Sequence, residues 1–324
     1  MVTIRDVGKH AGVSVATVSR YLNDKGYVSE ETKNVLKKSI QELGYKPNQM
    51  ARSLSTKKTN IIGLLVPDIT NPFFPELAKA VEETAFSNGY TVVLCNSSEQ
   101  QEKEKHYIQS LQQNYAAGLI VTTNYTEAEY YRHIKLPIVA LDRRLDPTIP
   151  TVTTNNVEGA KMATNYLLEQ GCKHILCIRG PQGIGVAEDR MKGFLEVVNN
   201  AQDIQVETIT SPFEFTEAEQ KAFNILSAFP TIDGVFAASD ASAIGAMKAA
   251  QSLGRKIPDD IQIVGFDGIS LGALVTPELT TVAQDIYHLG KVATELLLKK
   301  IKEEPIDNHL IELPTELVIR RSTK

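Results

Sequence analysis

Seven short segments of this chain close on side chains suited to holding a ligand: "PDITNPFF", "LDRR", "TTNN", "RGP", "ASD", "GFDG" and "VAQD", with "AEDR" following "RGP". Among the groups they offer are the amides of Asn71 and Gln284, the flat rings of Phe73 and Phe74, the guanidinium of Arg190 and several carboxylates, including Asp142, Asp240 and Asp267. Aromatic faces cover the C–H faces of a sugar ring, while planar charged and amide groups hydrogen-bond its hydroxyls. Each aspartate has an equally good role as the cap of a following helix, and the two phenylalanines could be core. The expectation rests on the set rather than on any member. Reactive groups are missing from the pattern. There is no G-x-S-x-G elbow and no H-E-x-x-H, and "GPQGIGVAED" lacks both the Lys-Ser/Thr ending of a phosphate loop and dinucleotide spacing. His10, His106, His133, His174, His288 and His309 are scattered. Carboxylates without a positioned nucleophile or a metal set bind, and need not catalyse. The reading is a binding protein, not an enzyme, with no cofactor and no metal.

The runs that precede these polar ends are strand-sized. "IIGLLVPDI", "TVVLCNS", "GLIVTT", "PIVALD", "HILCIRG", "GVFAASD" and "IQIVGFDG" alternate with amphipathic stretches at 75–88, 99–114, 156–170, 187–200 and 241–253. Such alternation predicts parallel sheets with helices on both faces, and the number of strands predicts two doubly wound lobes over 61–324. Ligands on sheets of this kind sit beyond the carboxyl ends of the strands, where the polar groups fall. No apolar run approaches the length of a membrane span, and "MVTIRD" does not open a signal peptide. Cys95, Cys172 and Cys177 lie at no metal spacing, which suits core thiols in a reducing, cytoplasmic setting.

Residues 1–60 differ in kind. They hold eleven Lys/Arg and five Asp/Glu, a net of +6, so the remainder carries −11 of the total −5. A basic head on an acidic body fits a head that meets a polyanion, although a solvated terminal domain would have the same charge. The spacing predicts helices. Thr3 stands three residues before Asp6 as a capping pattern, Ile4, Val7 and Ala11 form an inward stripe, and Gly12 ends the first helix. Ser14 caps a second, with Val18 and Leu22 inward and Ala16, Thr17 and Arg20 outward; Ser29 caps a third that Gly44 ends. Helix, four-residue turn and helix is the spacing of a helix-turn-helix, as well as of other small bundles. "KPNQMARSLSTKKTN" then reads as two marginal helical turns exposing Met50, Ala51 and Leu54, ordered only against a twin copy and DNA.

"VTIRDVGKHAGVSVATVSRYLN" and "VSEETKNVLKKSIQELGYKPNQMARSL" resemble, without a gap over residues 2–55, the DNA-binding head and hinge of the lactose-repressor (LacI/GalR) family of bacterial transcription regulators. The resemblance implies that Val15, Ala16, Thr17 and Arg20 read bases. It implies that Arg5, Ser14 and Ser19 support the helix or touch phosphates, that Leu54 wedges into the centre of a palindromic operator, and that Ala51 permits hinge packing. Residues 60–324 resemble the periplasmic sugar-binding-protein fold that serves this family as its effector domain, most of all its ribose-responsive branch. By that likeness Asn71, Phe73, Phe74 and Asp142 are first-lobe contacts, and Arg190, Phe215, Asp267 and Gln284 second-lobe contacts. Ser239 stands where the ribose pattern has asparagine, which leaves another pentose, a hexose or a sugar phosphate open.

The expected organisation is a helix-turn-helix domain at 1–46, a hinge at 47–60 and a two-lobed effector and dimerisation domain at 61–324, with crossovers near 155, 284 and 314. The expected function is a homodimeric, sugar-responsive repressor of a carbohydrate-utilisation operon, in which effector and operator bind the two states with opposite preference. Members of the family driven by a phosphocarrier protein supply the alternative. No heptad tail follows "LVIRRSTK" to make a tetramer. The charge of the head yields a first prediction: operator affinity, plotted as log affinity against log salt, falls linearly and steeply. A gel-shift series that is flat between low and physiological salt would contradict it.

Overall fold

The structure, a computed structural model, describes residues 2–23, 26–45, 59–123, 128–143 and 145–324. The expected hinge, with Ala51 and Leu54, lies outside the described residues. The chain forms two units, residues 1–59 and 60–324.

In the first unit, helix α1 (Ile4–Ala11) opens on a capping box. Thr3 Oγ1 accepts from the Asp6 N–H at 3.4 Å, and Asp6 Oδ2 accepts from the Thr3 N–H at 2.8 Å. Gly12, at φ 67°, ends the helix in the left-handed conformation that glycine adopts without strain. Helix α2 (Val15–Asn23) starts where Ser14 Oγ accepts from the Thr17 N–H, and α3 (Glu30–Glu42) where Ser29 Oγ accepts from the Thr32 N–H. Val7, Val18, Leu36 and Tyr45 form the small core, with Ile4, Ala11 and Leu22 packed against it.

The second unit carries two six-stranded sheets. The first orders its strands β11-β5-β4-β3-β1-β2, where β1 is Ile61–Val66, β2 Thr91–Asn96, β3 Gly118–Val121, β4 Ile138–Leu141, β5 Thr151–Thr154 and β11 Leu310–Leu313. The second orders them β12-β10-β9-β8-β6-β7, where β6 is His174–Arg179, β7 Gln205–Thr210, β8 Gly234–Ala237, β9 Gln262–Asp267, β10 Thr280–Gln284 and β12 Thr315–Val318. All pairings are parallel except β10 with β12. Strands buried on both faces, such as "GLIV" and "GVFA", read as continuous apolar runs, as parallel sheets require. The chain passes from the first sheet to the second between β5 and helix α7 (Asn156–Glu169), and returns between β10 and α11 (Ile286–Ile301). It passes once more between β11 and β12, at residue 314.

Five further helices matter to the site: α4 (Phe73–Ser87), α5 (Gln101–Gln113), α8 (Gly185–Val198), α9 (Phe215–Ala228) and α10 (Asp240–Ser252), with α6 (Ala128–Arg132) a single turn. Because all strands but β12 run parallel within their sheets, the ends carrying the polar segments lie along one edge of each. No helix among the described residues is long and apolar enough to cross a membrane. Helices α7 and α8 pack closely because residue 193 has no side chain: a Cβ there would stand 2.2 Å from the Val157 carbonyl oxygen. Alanine ordinarily improves a helix interior by about 1 kcal/mol over glycine. At residue 193 the clash reverses that sign. Gly193→Ala lowers the melting temperature, by overpacking of about 1–3 kcal/mol. Gly185→Ala on the same helix, where the added Cβ meets nothing within 4 Å, leaves it unchanged or raised. Thermal unfolding of the two variants checks this.

Candidate functional site

On the head, α2 turns Val18 and Leu22 into the core and leaves the opposite face to solvent. Val15 is 42% exposed, Ala16, Arg20 and Ser14 are exposed, Thr17 and Ser19 are half-buried, and Arg5 is exposed on α1. The hydroxyls of Ser14 and Thr17 are 2.9 Å apart, which ties the cap to the first turn. Small side chains beside one guanidinium make up this exposed face, whose size and donors suit a major groove.

In the body, the carboxyl edge of the second sheet is built on one buried ion pair. Arg190, on α8 and 2% exposed, donates from NH1 to Asp267 Oδ1 at 3.0 Å and to the Ala238 carbonyl at 2.7 Å. Its Nε donates to Asn156 Oδ1 at 2.8 Å. The guanidinium lies 3.8 Å from the centre of the Phe266 ring and 5.9 Å from that of Phe213, a stacked setting in which arginine is held by both charge and face. Gln284 Nε2 donates to the same Asp267 oxygen at 2.8 Å, while its Oε1 accepts from Thr154 Oγ1 at 2.7 Å. Asn156 Nδ2 donates back to the Thr154 carbonyl. Residues on either side of two crossovers therefore brace the pair.

From the first sheet, Asp142 follows β4 at φ 55°, 5% exposed, with its Oδ2 3.7 Å from Arg143. Among the described residues Asp142 Oδ1 is buried with no hydrogen-bond partner. Asn71 bridges to the other lobe: its Nδ2 donates to the Phe213 carbonyl at 3.2 Å, and its Oδ1 accepts from the Phe73 N–H at 3.1 Å. Burial pushes the Asp267 carboxyl up to about 6 against the pull of Arg190, with the Asp142 charge adding to the rise. Burial likewise raises Asp142, opposed by Arg143 and Arg190. These three groups are within electrostatic reach of one another and gather two carboxylates and a guanidinium at one place.

Asn71, Asp142, Arg190, Asp267 and Gln284 are thus brought together. Phe73 and Phe74 form an edge-to-face pair with centres 5.2 Å apart, and both belong to the core of the first lobe. Ser239 is buried as the N-cap of α10, its Oγ accepting from the Ser242 N–H and donating to Ser242 Oγ. Phe215 opens α9, half-buried, whereas the ring beside Arg190 belongs to Phe213, two residues earlier in the same "PFEF". Sequence reasoning passed over Phe213, Phe266, Thr154 and Asn156. Only "TTNN" signalled the last two, as a polar strand end. Asp240 is a structural carboxylate, accepting from the Gly268 and Ile269 N–H groups and from Thr281. Among the described residues no group of three His, Cys, Asp or Glu could hold a metal.

Residues 3–48 match the family described as bacterial regulatory proteins, lacI family, and residues 59–321 that of periplasmic binding proteins and the sugar binding domain of the LacI family. The chain is 53% identical to a ribose operon repressor of Halalkalibacterium halodurans over 324 residues, covering all of this chain and 98% of that one. A periplasmic binding protein/LacI transcriptional regulator from Alkaliphilus metalliredigens, complexed with D-xylulofuranose, superposes at a TM-score of 0.78 with 36% identity, over 82% of this chain and 100% of that one. The lac repressor dimer bound to operator and the anti-inducer ONPF superposes at 0.87 with 25% identity, over 99% of each chain.

The raised Asp267 carboxyl fixes a pH dependence. Its contribution to the stability of the ligand-free fold is full below the unfolded value of about 4 and is lost as pH rises through about 6. Above that point the buried charge is available to accept ligand hydroxyls. Ligand affinity, and the gain in melting temperature that ligand gives, should therefore increase from pH 5 to pH 7.5. Asp267→Asn should flatten the profile. Calorimetry at both pH values tests this, and a flat wild-type profile contradicts it.

Proposed function

The chain belongs to the LacI family of bacterial regulatory proteins, and from that footing we propose that ribose is the effector of this DNA-binding, sugar-responsive repressor. Like its relatives it is a regulator, not an enzyme. It binds operator DNA through the head and a sugar through the body.

One observation carries the sugar reading: the buried Asp142, Arg190 and Asp267 at the facing edges of the two sheets, with Asp142 Oδ1 lacking a donor among the described residues. A hydroxyl satisfies such an acceptor and a phosphate oxygen does not, so the group that meets Asp142 is a sugar hydroxyl. The identity of the sugar is argued from the ribose operon repressor at 53% identity. A second pentose is favoured by the 36% identical regulator complexed with D-xylulofuranose. We assign base contacts to Val15, Ala16, Thr17 and Arg20, support and phosphate contacts to Arg5, Ser14 and Ser19, and hinge roles to Ala51 and Leu54. Sugar contacts are assigned to Asn71, Asp142, Arg190, Asp267 and Gln284, with Phe213 in place of Phe215.

The working unit in this reading is a cytoplasmic homodimer on a palindromic operator. Support for self-association comes from the edge strand β2, where Val93 and Leu94 are 39% and 46% exposed. Phe86, on the helix packed against that strand, is 74% exposed. Unpaired apolar edges of this kind are ordinarily covered. This reading calls on no phosphocarrier protein.

Calorimetric titration of the full chain with D-ribose, D-xylulose, D-glucose and D-ribose 5-phosphate, without any partner protein, tests the reading. Ribose should bind most tightly. Asp267→Asn, which keeps an acceptor but removes the charge, should weaken it roughly 10- to 150-fold, by the 1.5–3 kcal/mol typical of a charged hydrogen bond. Its sugar-free operator affinity should match wild type. Tighter binding of ribose 5-phosphate, or none of any sugar, would defeat the assignment.

A further inference from the structure

Four consecutive residues, from the last of β9 onward, answer to both lobes. Asp267 has φ 119° and Gly268 φ 79°, and an aspartate keeps such a left-handed backbone only where its surroundings hold it there. From the second lobe the restraint is Asp240, fully buried at the start of α10. Its Oδ2 accepts from the Gly268 and Ile269 N–H groups at 2.8 and 2.9 Å, and its Oδ1 accepts from Thr281 Oγ1 at 2.6 Å. Residue 265 leaves room for it, since a Cβ there would stand 2.2 Å from Asp240 Oδ1. From the first lobe come two further restraints. Ile269, 1% exposed, is buried in the first-lobe core with Leu77, Val81 and Leu289. The Ser270 N–H and Oγ both donate to Glu76 Oε1 on α4, at 2.9 and 2.5 Å.

We propose that residues 267–270 form a clasp between the lobes, in which Glu76 and Asp240 are positioning residues that aim Asp267 at the effector. The assignment rests on the reading of Asp267 as a sugar contact. Neither residue needs to touch the sugar. Asp240 fixes the amides next to the carboxylate, and Glu76 fixes the far end of the same turn from the opposite lobe. Asp267 is therefore correctly aimed only while the lobes are together. By reciprocity, a sugar that holds Asp267 also holds the lobes together through Ser270 and Ile269. The clasp gives closure a differential interaction with the ligand, without which a ligand cannot shift a conformational equilibrium.

Full-length wild type, Glu76→Gln and Glu76→Ala are titrated with D-ribose and D-xylulose. Glutamine keeps a carbonyl oxygen for both Ser270 donors, so Glu76→Gln stays within about twofold of wild type. Glu76→Ala loses about 5-fold in affinity, since the exposed Ser270 donors turn to water and the tie between the lobes is lost, while its melting temperature stays close to that of wild type. Asp240→Asn is used instead of Asp240→Ala, which would strand two buried amides and risk the fold; it weakens binding to a similar extent. Wild-type affinity in Glu76→Ala overturns the clasp, and so does equal weakening in Glu76→Gln. Amide hydrogen exchange on the sugar-free proteins decides independently of either sugar. Glu76→Ala must speed exchange at Gly268 and Ile269, which the other lobe holds, along with Ser270. Acceleration confined to Ser270 overturns the proposal, whereas a wild type silent toward both sugars counts only against the functional reading.

Discussion

Arg190 and Asp267 form an ion pair from which solvent is almost excluded, and the second lobe is arranged around satisfying it. Charges so buried are tolerable only when their remaining donors and acceptors are met, and removing one partner of such a pair destabilises by about 3–5 kcal/mol. Here Asn156, the Ala238 carbonyl, Gln284 and the face of Phe266 meet them. Those groups arrive from α7, β8, β10 and β9, so the pair exists only if the parallel register is right. The close approach of α7 and α8 at residue 193 serves the same end. It brings Arg190, one turn away on α8, to within 2.8 Å of Asn156 at the start of α7.

The bracing also determines where a ligand is felt. Thr154 and Asn156 flank the first crossover, and Gln284 immediately precedes the second. Any hydroxyl that competes for Asp267 Oδ1 or for the guanidinium must rearrange hydrogen bonds that reach these connections. Binding at the edge of one sheet and bending between the two sheets are thus parts of one hydrogen-bond network.

Much of this was legible in the sequence, for identifiable reasons. The head reads clearly because its caps are local: Thr3 with Asp6, Ser14 with Thr17 and Ser29 with Thr32 are contacts three residues apart. The central strands read clearly because burial on both faces leaves apolar runs. Strands β7, β11 and β12 have no such run, since "QVETIT", "LIEL" and "TELV" are short or half-exposed edge strands. Strand β5, "TVTT", is fully buried yet threonine-rich, so its composition hides it. At the site, charged and amide groups announced themselves. Which ring of "PFEF" faces Arg190 did not, because Phe213 falls in a loop and Phe215 only begins α9, where no periodicity yet assigns a direction. Phe266 was hidden for the opposite reason: inside an apolar strand, an aromatic that stacks on a guanidinium looks like any other core residue. Asp240 and Asp267, alike in sequence as aspartates at strand ends, separate only when Asp240 is seen to be occupied by backbone amides.

The three crossovers also govern the order in which the protein can be made. Its first lobe is not a continuous piece of chain: the sheet needs β11, and its core takes Leu289, Ala293, Leu296 and Leu297 from α11. While residues 60–154 leave the ribosome, that lobe has an open apolar face and an unpaired edge, and it stays so until residue 313 has been added. The second lobe draws nearly all its strands from 174–284 and lacks only β12, so a later-synthesised part of the molecule can consolidate first. Domains completed out of chain order leave an apolar surface waiting, a state vulnerable to aggregation and to chaperone capture. The late arrival of α11 therefore makes the first lobe the stage of biosynthesis at which this regulator is most exposed to loss.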